Sequence, residues 1–260
     1  MDTLRLTCVL AHPDDESLGT GGTLAKYAAE GVETSVITAT RGERGRFGDG
    51  GERPTNDVVG RTREGELRAA ARELGVREVI VLGYPDGGLD ASDPSAAQEA
   101  IADHLTRLRP HVVVTFGADG AYGHPDHIAI SQLTAGAILR AAGGGAPVSK
   151  LYHIAWSGPT WAAYQTALKK LTSTVDGVER QVTPTPDWGV SARIDTTAVW
   201  PTVWRAVQCH RTQMSIYKNL ESLPPEHHRS LWGVQEFYRV FSRVNGGRAR
   251  ESDLFEGLRR

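Results

Sequence analysis

The sequence predicts an α/β fold of the Rossmann-like type: a doubly wound, mostly parallel sheet with helices on both faces and a C-terminal elaboration. Two observations carry this prediction. Segments rich in β-branched residues alternate with helical segments through the first 157 residues, and residues 111–116 form the continuous apolar run that is typical of a strand covered on both faces. We expect a single domain over residues 1–260, with a core at 1–157 and the elaboration at 158–260.

The core elements follow one another in a regular order. Strands are predicted at residues 4–10, 34–40, 78–82, 111–116 and 151–156. Helices are predicted at residues 18–31, 61–74 and 93–108. Gly31 and Gly75 end the first two helices, while Pro94 begins the third helix and Pro110 stops it.

The elaboration is less regular. Pro184, Pro186 and a turn at residues 187–189 interrupt two short β-like stretches. Thr196 or Thr197 is expected to cap a helix that runs to about residue 213. Residues 234–244 are expected to form a closing strand.

Composition excludes several classes of protein. The 260 residues carry 29 basic and 31 acidic side chains, a net charge of −2, so no general positive field is available to hold nucleic acid or an anionic membrane. The apolar runs of this sequence are far shorter than the ~20 residues that span a bilayer. We therefore expect neither a signal peptide nor a membrane-spanning segment. Two cysteines are too few for a disulfide framework, and the lack of such a framework favours a cytoplasmic location. Two cysteines are also too few for a four-cysteine zinc site, so any metal is expected to bind through nitrogen and oxygen.

Residues 40–57 are rich in Arg, Gly and Asp and predict a long loop. Such a tract can bind RNA, but Glu43, Asp49, Glu52 and Asp57 offset most of its positive charge. A loop beside a substrate pocket is therefore favoured over RNA binding, and a solvated connector is the remaining alternative.

Two clusters of ligand-type side chains follow strands whose carboxyl ends share one rim of the predicted sheet. Residues 12–16 (HPDDE) follow the first strand, and residues 124–127 (HPDH) follow the fourth. Open α/β sheets bind ligands at this rim. Zinc accepts imidazole nitrogen and carboxylate oxygen, and hydrolytic zinc sites use three protein ligands. Two ligands from the first cluster and one from the second satisfy that count.

Each of these residues also has a plain structural interpretation. Asp14 or Asp15 could cap the following helix, and His124 could fill a turn beside Pro125. Two such clusters at strand ends are hard to explain by capping alone, so a functional site is favoured. A dinucleotide site is disfavoured because Leu24 stands where the G-x-G-x-x-G pattern needs its last glycine.

With these motifs in place, the sequence resembles the LmbE-like or GlcNAc-PI de-N-acetylase family of zinc-dependent deacetylases. The resemblance spans most of the chain and rests on five motifs in order: AHPDDESLGTGGTLA, TRGERG, TREGELRAAARELGV, AYGHPDHIAI and QCHRTQ. AHPDDE and HPDH are specific together, and the other motifs are supportive. The resemblance implies hydrolysis of an acetamide on an amino sugar, commonly an N-acetylglucosaminyl conjugate.

By motif position, the resemblance implies a role for five members of the two clusters. It implies that His12, Asp15 and His127 bind zinc, that Asp14 is the general base and that His124 stabilises the oxyanion. Iron(II) is an alternative to zinc because it accepts the same nitrogen and oxygen ligands.

Further positions match the family, each with an alternative. Tyr122 matches a position that helps to polarise the carbonyl, or it could pack within its turn. Arg63 and Asp86 resemble sugar-binding positions, although Arg63 could instead pair with a carboxylate on the helix surface. His210 lies in the late H-x-x-Q motif, where it could instead be a partly buried helix histidine placed by the glutamine. Asp126 is expected to orient an imidazole.

The expected function is a zinc-dependent N-deacetylase that acts on a small N-acetylglucosamine-type conjugate, with neither nucleic acid nor membrane as a partner. Two alternatives stay open. One is an amidase that removes a bulkier acyl group from a thiol-sugar conjugate at the same metal centre. The other is a non-catalytic, nucleotide-binding α/β module.

Overall fold

The computed structural model describes residues 3–48, 50, 52–168, 172–175, 177–247 and 249–259. Within these residues the strands are β1 Arg5–Leu10, β2 Glu33–Thr40, β3 Glu78–Tyr84, β4 Val112–Thr115, β5 Lys150–Ala155, β6 Thr172–Val175, β7 Val178–Gln181, β8 Ala192–Asp195 and β9 Val234–Ser242. The helices are α1 Asp15–Ala29, α2 Asn56–Glu73, α3 Pro94–Leu108, α4 Gly120–Gly123, α5 Pro125–Gly143, α6 Gly158–Leu168, α7 Trp200–Cys209, α8 Lys218–Glu221 and α9 Pro225–Trp232.

The central sheet has seven strands in the order β3-β2-β1-β4-β5-β9-β8. The first five are parallel, and β9 runs antiparallel to both β5 and β8. The predicted doubly wound, mostly parallel sheet is therefore confirmed. Because β8 and β9 belong to residues 158–260, the C-terminal part of the chain extends the sheet that the first part builds.

Helices cover the sheet because its central strands are apolar on both faces. Strands β1, β2 and β4 are buried along nearly their whole length. Helix α3 packs against α5, while α7 packs against α1 and α2. Helix α3 begins at Pro94 as predicted, and the Asp93 carboxylate caps it by accepting hydrogen bonds from two backbone N–H groups. Helix α2 begins five residues earlier than predicted because the Thr55 side chain caps it.

The C-terminal helix α7 is shorter than predicted. Neither Thr196 nor Thr197 caps it, because both hydroxyls donate to backbone carbonyls at residues 232–233. The helix ends where His210 leaves the helical region of the backbone, at φ −80° and ψ 58°. Arg211–Gln213 then form a separate 3-10 turn. None of the helices in the described ranges is long and apolar enough to cross a lipid bilayer.

The strand order reverses between β1 and β4, which lie side by side in the sheet. Doubly wound sheets bind their ligands in the crevice outside the carboxyl ends of the strands at such a point. Residues 12–16 follow β1 here, and residues 124–127 follow β4 after the short helix α4. The topology therefore brings the two predicted clusters to the same place.

Candidate active site

A cavity of about 450 Å³ opens at this rim of the sheet. Both clusters contribute to its lining, through His12, Asp14, Asp15, His124 and His127. Such a volume is in the range of small-molecule sites in proteins.

Three ligand-type side chains face one another in this cavity. His12 Nδ1 lies 3.2 Å from His127 Nε2. Asp15 Oδ2 lies 3.7 Å from His12 Nδ1, and Asp15 Oδ1 lies 3.5 Å from His127 Nε2. Zinc ligands at about 2.0–2.2 Å in tetrahedral geometry are roughly 3.3–3.6 Å apart. The two imidazole nitrogens therefore have the spacing of zinc ligands, and Asp15 approaches each of them through a different oxygen.

The second nitrogen of His12 is held by two carboxylates. His12 Nε2 lies 3.0 Å from Asp126 Oδ2 and 3.3 Å from Asp86 Oδ1. This arrangement assigns the proton to Nε2 and leaves the lone pair of Nδ1 for a metal ion, as metal-binding histidines require. Burial opposes the charged imidazolium, but the hydrogen bonds with Asp126 and Asp86 raise the pKa of His12 to about 10, so a metal ion at Nδ1 would take the place of a proton. The expected orientation of an imidazole by Asp126 is thus present.

Backbone N–H groups in turn fix these carboxylates. Asp126 is fully buried and accepts hydrogen bonds from the N–H groups of Gly87 and Leu89. The N–H of Arg44 donates to Asp86 at 2.8 Å. Burial opposes ionisation of Asp86, but its hydrogen bond with His12 lowers its pKa to about 2. Both carboxylates are therefore anionic near neutral pH and favour a cation at His12.

Asp15 is oriented by the backbone that precedes it. One of its oxygens accepts hydrogen bonds from the N–H groups of Ala11, at 3.2 Å, and His12, at 2.8 Å. Burial raises the pKa of Asp15 to about 7, so a cation that replaces its proton is favoured.

Two groups of ligand-type residues that do not include Asp15 are also close together in the described residues. The ring nitrogens of His12, His124 and His127 lie within 4.8 Å of one another, as do the ligand atoms of His12, Asp86 and Asp126. In the second group both carboxylates face the protonated nitrogen of His12, which is a hydrogen-bonding arrangement. In the first, His124 Nδ1 already accepts the N–H of Asp126 at 3.2 Å. We therefore favour Asp15 as the third ligand.

Asp14 occupies a strained backbone position. Its φ of 108° lies in the left-handed region, which is uncommon for residues other than glycine. Its side chain makes no capping hydrogen bond with α1, so the plain capping interpretation does not apply. The N–H of Asp14 donates instead to Glu16 Oε2 at 2.9 Å, which holds the turn.

One oxygen of Asp14 is held by two donors. Asp14 Oδ2 accepts hydrogen bonds from Tyr217 OH at 2.8 Å and from Arg63 Nη2 at 3.1 Å. Within the described part of the chain, these contacts leave the second oxygen, Oδ1, to accept a proton. Arg63 is 4 % exposed and therefore does not form the helix-surface pair considered as its alternative.

Arg63 joins the 12–16 cluster to the loop at residues 40–57. Its guanidinium also donates to the carbonyls of Pro13 at 2.5 Å and Gly42 at 2.7 Å. A side chain on Gly42 or Gly45 would overlap this guanidinium. Part of the Arg/Gly-rich loop thus packs against the site, and Arg44 and Gly45 line the cavity. Asp49 and Gly51 of that loop lie outside the described residues.

His210 supports the same turn from behind. Its side chain is fully buried, and Nε2 lies 2.7 Å from Glu16 Oε1. Burial disfavours the charged imidazolium, but the carboxylate of Glu16 raises the pKa of His210. The side-chain amide of Gln213 donates to the Arg46 carbonyl and not to this imidazole, while its backbone N–H donates to the His210 carbonyl at 2.9 Å. His210 therefore acts on Asp14 through Glu16.

His124 and Tyr122 stand on a distorted segment between β4 and α5. His124 caps α5 through Nδ1, which leaves Nε2 as the nitrogen that carries hydrogen in the neutral ring. Burial and the charge of His12 lower the pKa of His124 to about 4. Burial raises the pKa of Tyr122, and its ring contacts those of His124 and His127 edge-on. Both residues line the cavity.

Tyr217 was not identified from the sequence, although it contacts Asp14. It lies in an irregular segment outside every motif, so no spacing points to it. Glu16 belongs to the first cluster but had no assigned role. Its position directly after two aspartates was the one feature of the sequence that could have indicated a role in the site. Both residues act by holding Asp14 rather than by carrying a ligand atom.

A family model matches the chain over residues 7–138, and its description is GlcNAc-PI de-N-acetylase (PIG-L). A 1D-myo-inositol 2-acetamido-2-deoxy-alpha-D-glucopyranoside deacetylase of Mycobacteroides abscessus is 34 % identical, with 99 % of each chain covered. The enzyme of the same name from Streptomyces griseus subsp. griseus is also 34 % identical, over 98 % of this chain and 89 % of the relative.

Solved structures share the fold of this chain. The conserved protein TT1542 from Thermus thermophilus has a TM-score of 0.65 and 28 % identity, over 94 % of this chain and 98 % of its own. The N,N'-diacetylchitobiose deacetylase from Pyrococcus horikoshii shares the fold, with a TM-score of 0.65 and 19 % identity, over 92 % of this chain and 84 % of its own. The chain therefore belongs to the GlcNAc-PI de-N-acetylase (PIG-L) family of deacetylases.

Proposed function

We propose that this protein is a zinc-dependent N-deacetylase that removes the acetyl group from a small N-acetylglucosamine-type conjugate. One observation carries the proposal: Asp14, whose Oδ2 alone has hydrogen-bond donors among the described residues, lines the same cavity as His12, Asp15 and His127, which offer two imidazoles and a carboxylate to a metal ion. The names of the curated relatives support an acetylated glucosamine as the substrate. The cytoplasmic location favoured by the sequence stays a prediction.

His12, Asp15 and His127 would hold the ion. Their donor set of two imidazole nitrogens and one carboxylate is typical of hydrolytic zinc sites, and iron(II) is the alternative ion. The chemistry that a bound zinc ion supplies is that of a Lewis acid, which polarises a carbonyl oxygen and makes water more acidic.

Asp14 is proposed to act as the general base. Its Oδ2 is fixed by Tyr217 and Arg63, so Oδ1 is the oxygen that accepts the proton of the attacking water. After attack, the same carboxyl group can deliver that proton to the nitrogen of the leaving amine. The two donors on Oδ2 keep the carboxylate in one orientation throughout, which is the geometric requirement for efficient proton transfer.

His124 and Tyr122 are proposed to stabilise the negative oxygen of the tetrahedral intermediate. The lowered pKa of His124 keeps its ring neutral near pH 7, and its free Nε2–H is then a hydrogen-bond donor. The raised pKa of Tyr122 keeps its hydroxyl protonated and able to donate as well. Neither group needs to change its charge during the reaction.

Arg63 and Asp86 line the cavity, but both Nη atoms of Arg63 and both carboxylate oxygens of Asp86 already have protein partners, which leaves Arg63 Nε without one among the described residues. We propose that Arg63 positions Asp14 and that Asp86 positions His12. Their contact with the sugar stays a prediction from the family resemblance.

The test is acetate release from N-acetylglucosaminyl conjugates by the purified, zinc-loaded protein. Asp14→Asn is expected to lower kcat by about 100-fold or more, the usual contribution of a general base, while zinc content stays unchanged. Asp103→Asn, an exposed change on α3, is the matched control and keeps full activity. Undiminished activity in Asp14→Asn would remove the proposed base. Release only from substrates with bulkier acyl groups would favour the amidase.

A further inference from the structure

The cavity has a second set of lining residues that the proposed reaction does not use. Leu18, Trp156, Tyr164, Leu168 and Ile216 line it together with the ligand-type residues. We call these five residues the apolar lining. They come from α1, from the end of β5, from α6 and from the segment before α8.

The aromatic part of the apolar lining is held in place by its own contacts. The Trp156 ring stacks on Tyr164 with centroids 5.0 Å apart and on Trp161 with centroids 6.0 Å apart. The Tyr164 hydroxyl donates to the Leu18 carbonyl at 2.7 Å. Because this contact occupies the polar end of Tyr164, the residue offers the cavity its ring rather than its hydroxyl.

Polar groups next to the apolar lining are also occupied. Gln213 lines the same cavity, but its amide nitrogen donates to the Arg46 carbonyl and to Thr212 Oγ1. Ile216, by contrast, leaves 45 % of its surface exposed. A single exposed apolar side chain is ordinary in a protein. Small-molecule sites are lined mainly by apolar and aromatic side chains, so the five residues of the apolar lining can cover an apolar part of a bound ligand.

We propose that the substrate of this enzyme is an N-acetylglucosaminide with an apolar alkyl or aryl aglycone, and that the apolar lining binds this aglycone. The inference rests on the proposed function, because the acetamide must lie at His12, Asp14 and His127. An aglycone with many hydroxyl groups, such as the inositol in the names of the curated relatives, would set those hydroxyls against side chains that cannot hydrogen-bond to them. An apolar aglycone loses no hydrogen bonds when it leaves water, so its burial against these side chains is favourable.

The experiment compares three substrates with the same sugar: the methyl, hexyl and inositol glycosides of N-acetylglucosamine. Each fully buried methylene increases affinity by a factor of roughly four. Partial burial of the hexyl chain is therefore expected to raise kcat/KM about tenfold over the methyl glycoside, mainly by lowering KM. The inositol conjugate is expected to do no better than the methyl glycoside. A hexyl-to-methyl ratio below threefold, or a preference for the inositol conjugate over the hexyl glycoside, would overturn the inference.

Two variants connect the preference to the apolar lining. Ile216→Ser is expected to lower the hexyl-to-methyl ratio about threefold, and Ile216→Trp is expected to raise it. Leu139→Ser is the matched control, since Leu139 is 72 % exposed on α5 and does not line the cavity. A ratio that neither Ile216 variant alters would contradict the assignment. Thermal unfolding of each variant checks that the fold is intact.

The methyl glycoside separates this inference from the proposed function. If acetate is released from the methyl and inositol glycosides without a preference for hexyl, the proposed deacetylase stands and only the apolar aglycone is wrong. If none of the three glycosides releases acetate, the proposed function fails and the inference fails with it.

Discussion

Residues 1–157 and residues 158–260 contribute to one cavity in different ways. The first region supplies the candidate metal ligands, Asp14 and His124, all close to the carboxyl ends of parallel strands. The second supplies Tyr217 and His210, which hold Asp14 directly or through Glu16. Reactive groups therefore lie at the rim of the sheet, and part of their support comes from a segment that reaches them only through tertiary structure.

The largest expected effect is the loss of a ligand from the first region. His127→Ala should remove most of the bound zinc and lower acetate release on the order of a thousandfold, since a Lewis acid contributes several kcal/mol to such reactions. Elemental analysis and the acetate assay check this. The exposed His227→Ala should change neither quantity. A His127→Ala protein that keeps its zinc and its rate would show that the ligand set is wrong.

The sequence predicted the first region well because two simple rules determine it. Alternating strands and helices predict a parallel sheet, and the carboxyl ends of its strands share one rim. His12 and His127 could therefore be placed together from their positions in the sequence. The strained backbone of Asp14 was not predictable, because it depends on the contact between its N–H and Glu16.

The second region was harder to predict because its residues follow no spacing rule. Tyr217 lies after a helix whose end was misplaced by several residues, and its hydroxyl meets Asp14 only once α7 has packed on α1 and α2. His210 was noted from its motif, yet the partner of its imidazole proved to be Glu16 and not the side chain of Gln213. In both cases the deciding contact joins parts of the chain far apart in sequence.

A smaller effect on rate is expected from the second region. Tyr217→Phe removes the hydroxyl that donates to Asp14 Oδ2 and keeps the ring. Hydrogen bonds to charged groups contribute about 1.5–3 kcal/mol, so a tenfold or greater decrease in kcat is expected, with zinc content and KM nearly unchanged. Tyr238→Phe, on the exposed side of β9, is the control and should leave kcat, KM and zinc content unchanged. An effect confined to KM would instead place Tyr217 against the substrate.

The smallest expected effect on rate concerns the contact that attaches the end of the second region to the sheet. Buried Glu251 accepts hydrogen bonds from Lys150 Nζ at 2.7 Å, Tyr152 OH at 2.5 Å and Asn245 Nδ2 at 2.7 Å. Burial alone would raise the pKa of Glu251, but these hydrogen bonds lower it. Because the folded-state pKa lies below the unfolded value of about 4.3, the stabilisation is present above that pH and is lost as pH falls through the folded-state pKa.

Glu251→Gln should therefore reduce stability without altering catalysis. Removing the carboxylate leaves the fully buried Lys150 without its counter-charge, which typically costs about 3–5 kcal/mol and predicts a Tm at pH 7 lower by about 6–15 °C. The difference from the parent protein should narrow as the pH falls below about 4, because protonation of Glu251 removes the same charge from the parent. Calorimetry across pH measures both Tm values, and kcat at 25 °C should stay within about twofold. A Tm difference that is constant across pH would show that Glu251 contributes by packing and not by charge, whereas a large loss of kcat would show that attachment of the chain end governs the geometry around Asp14.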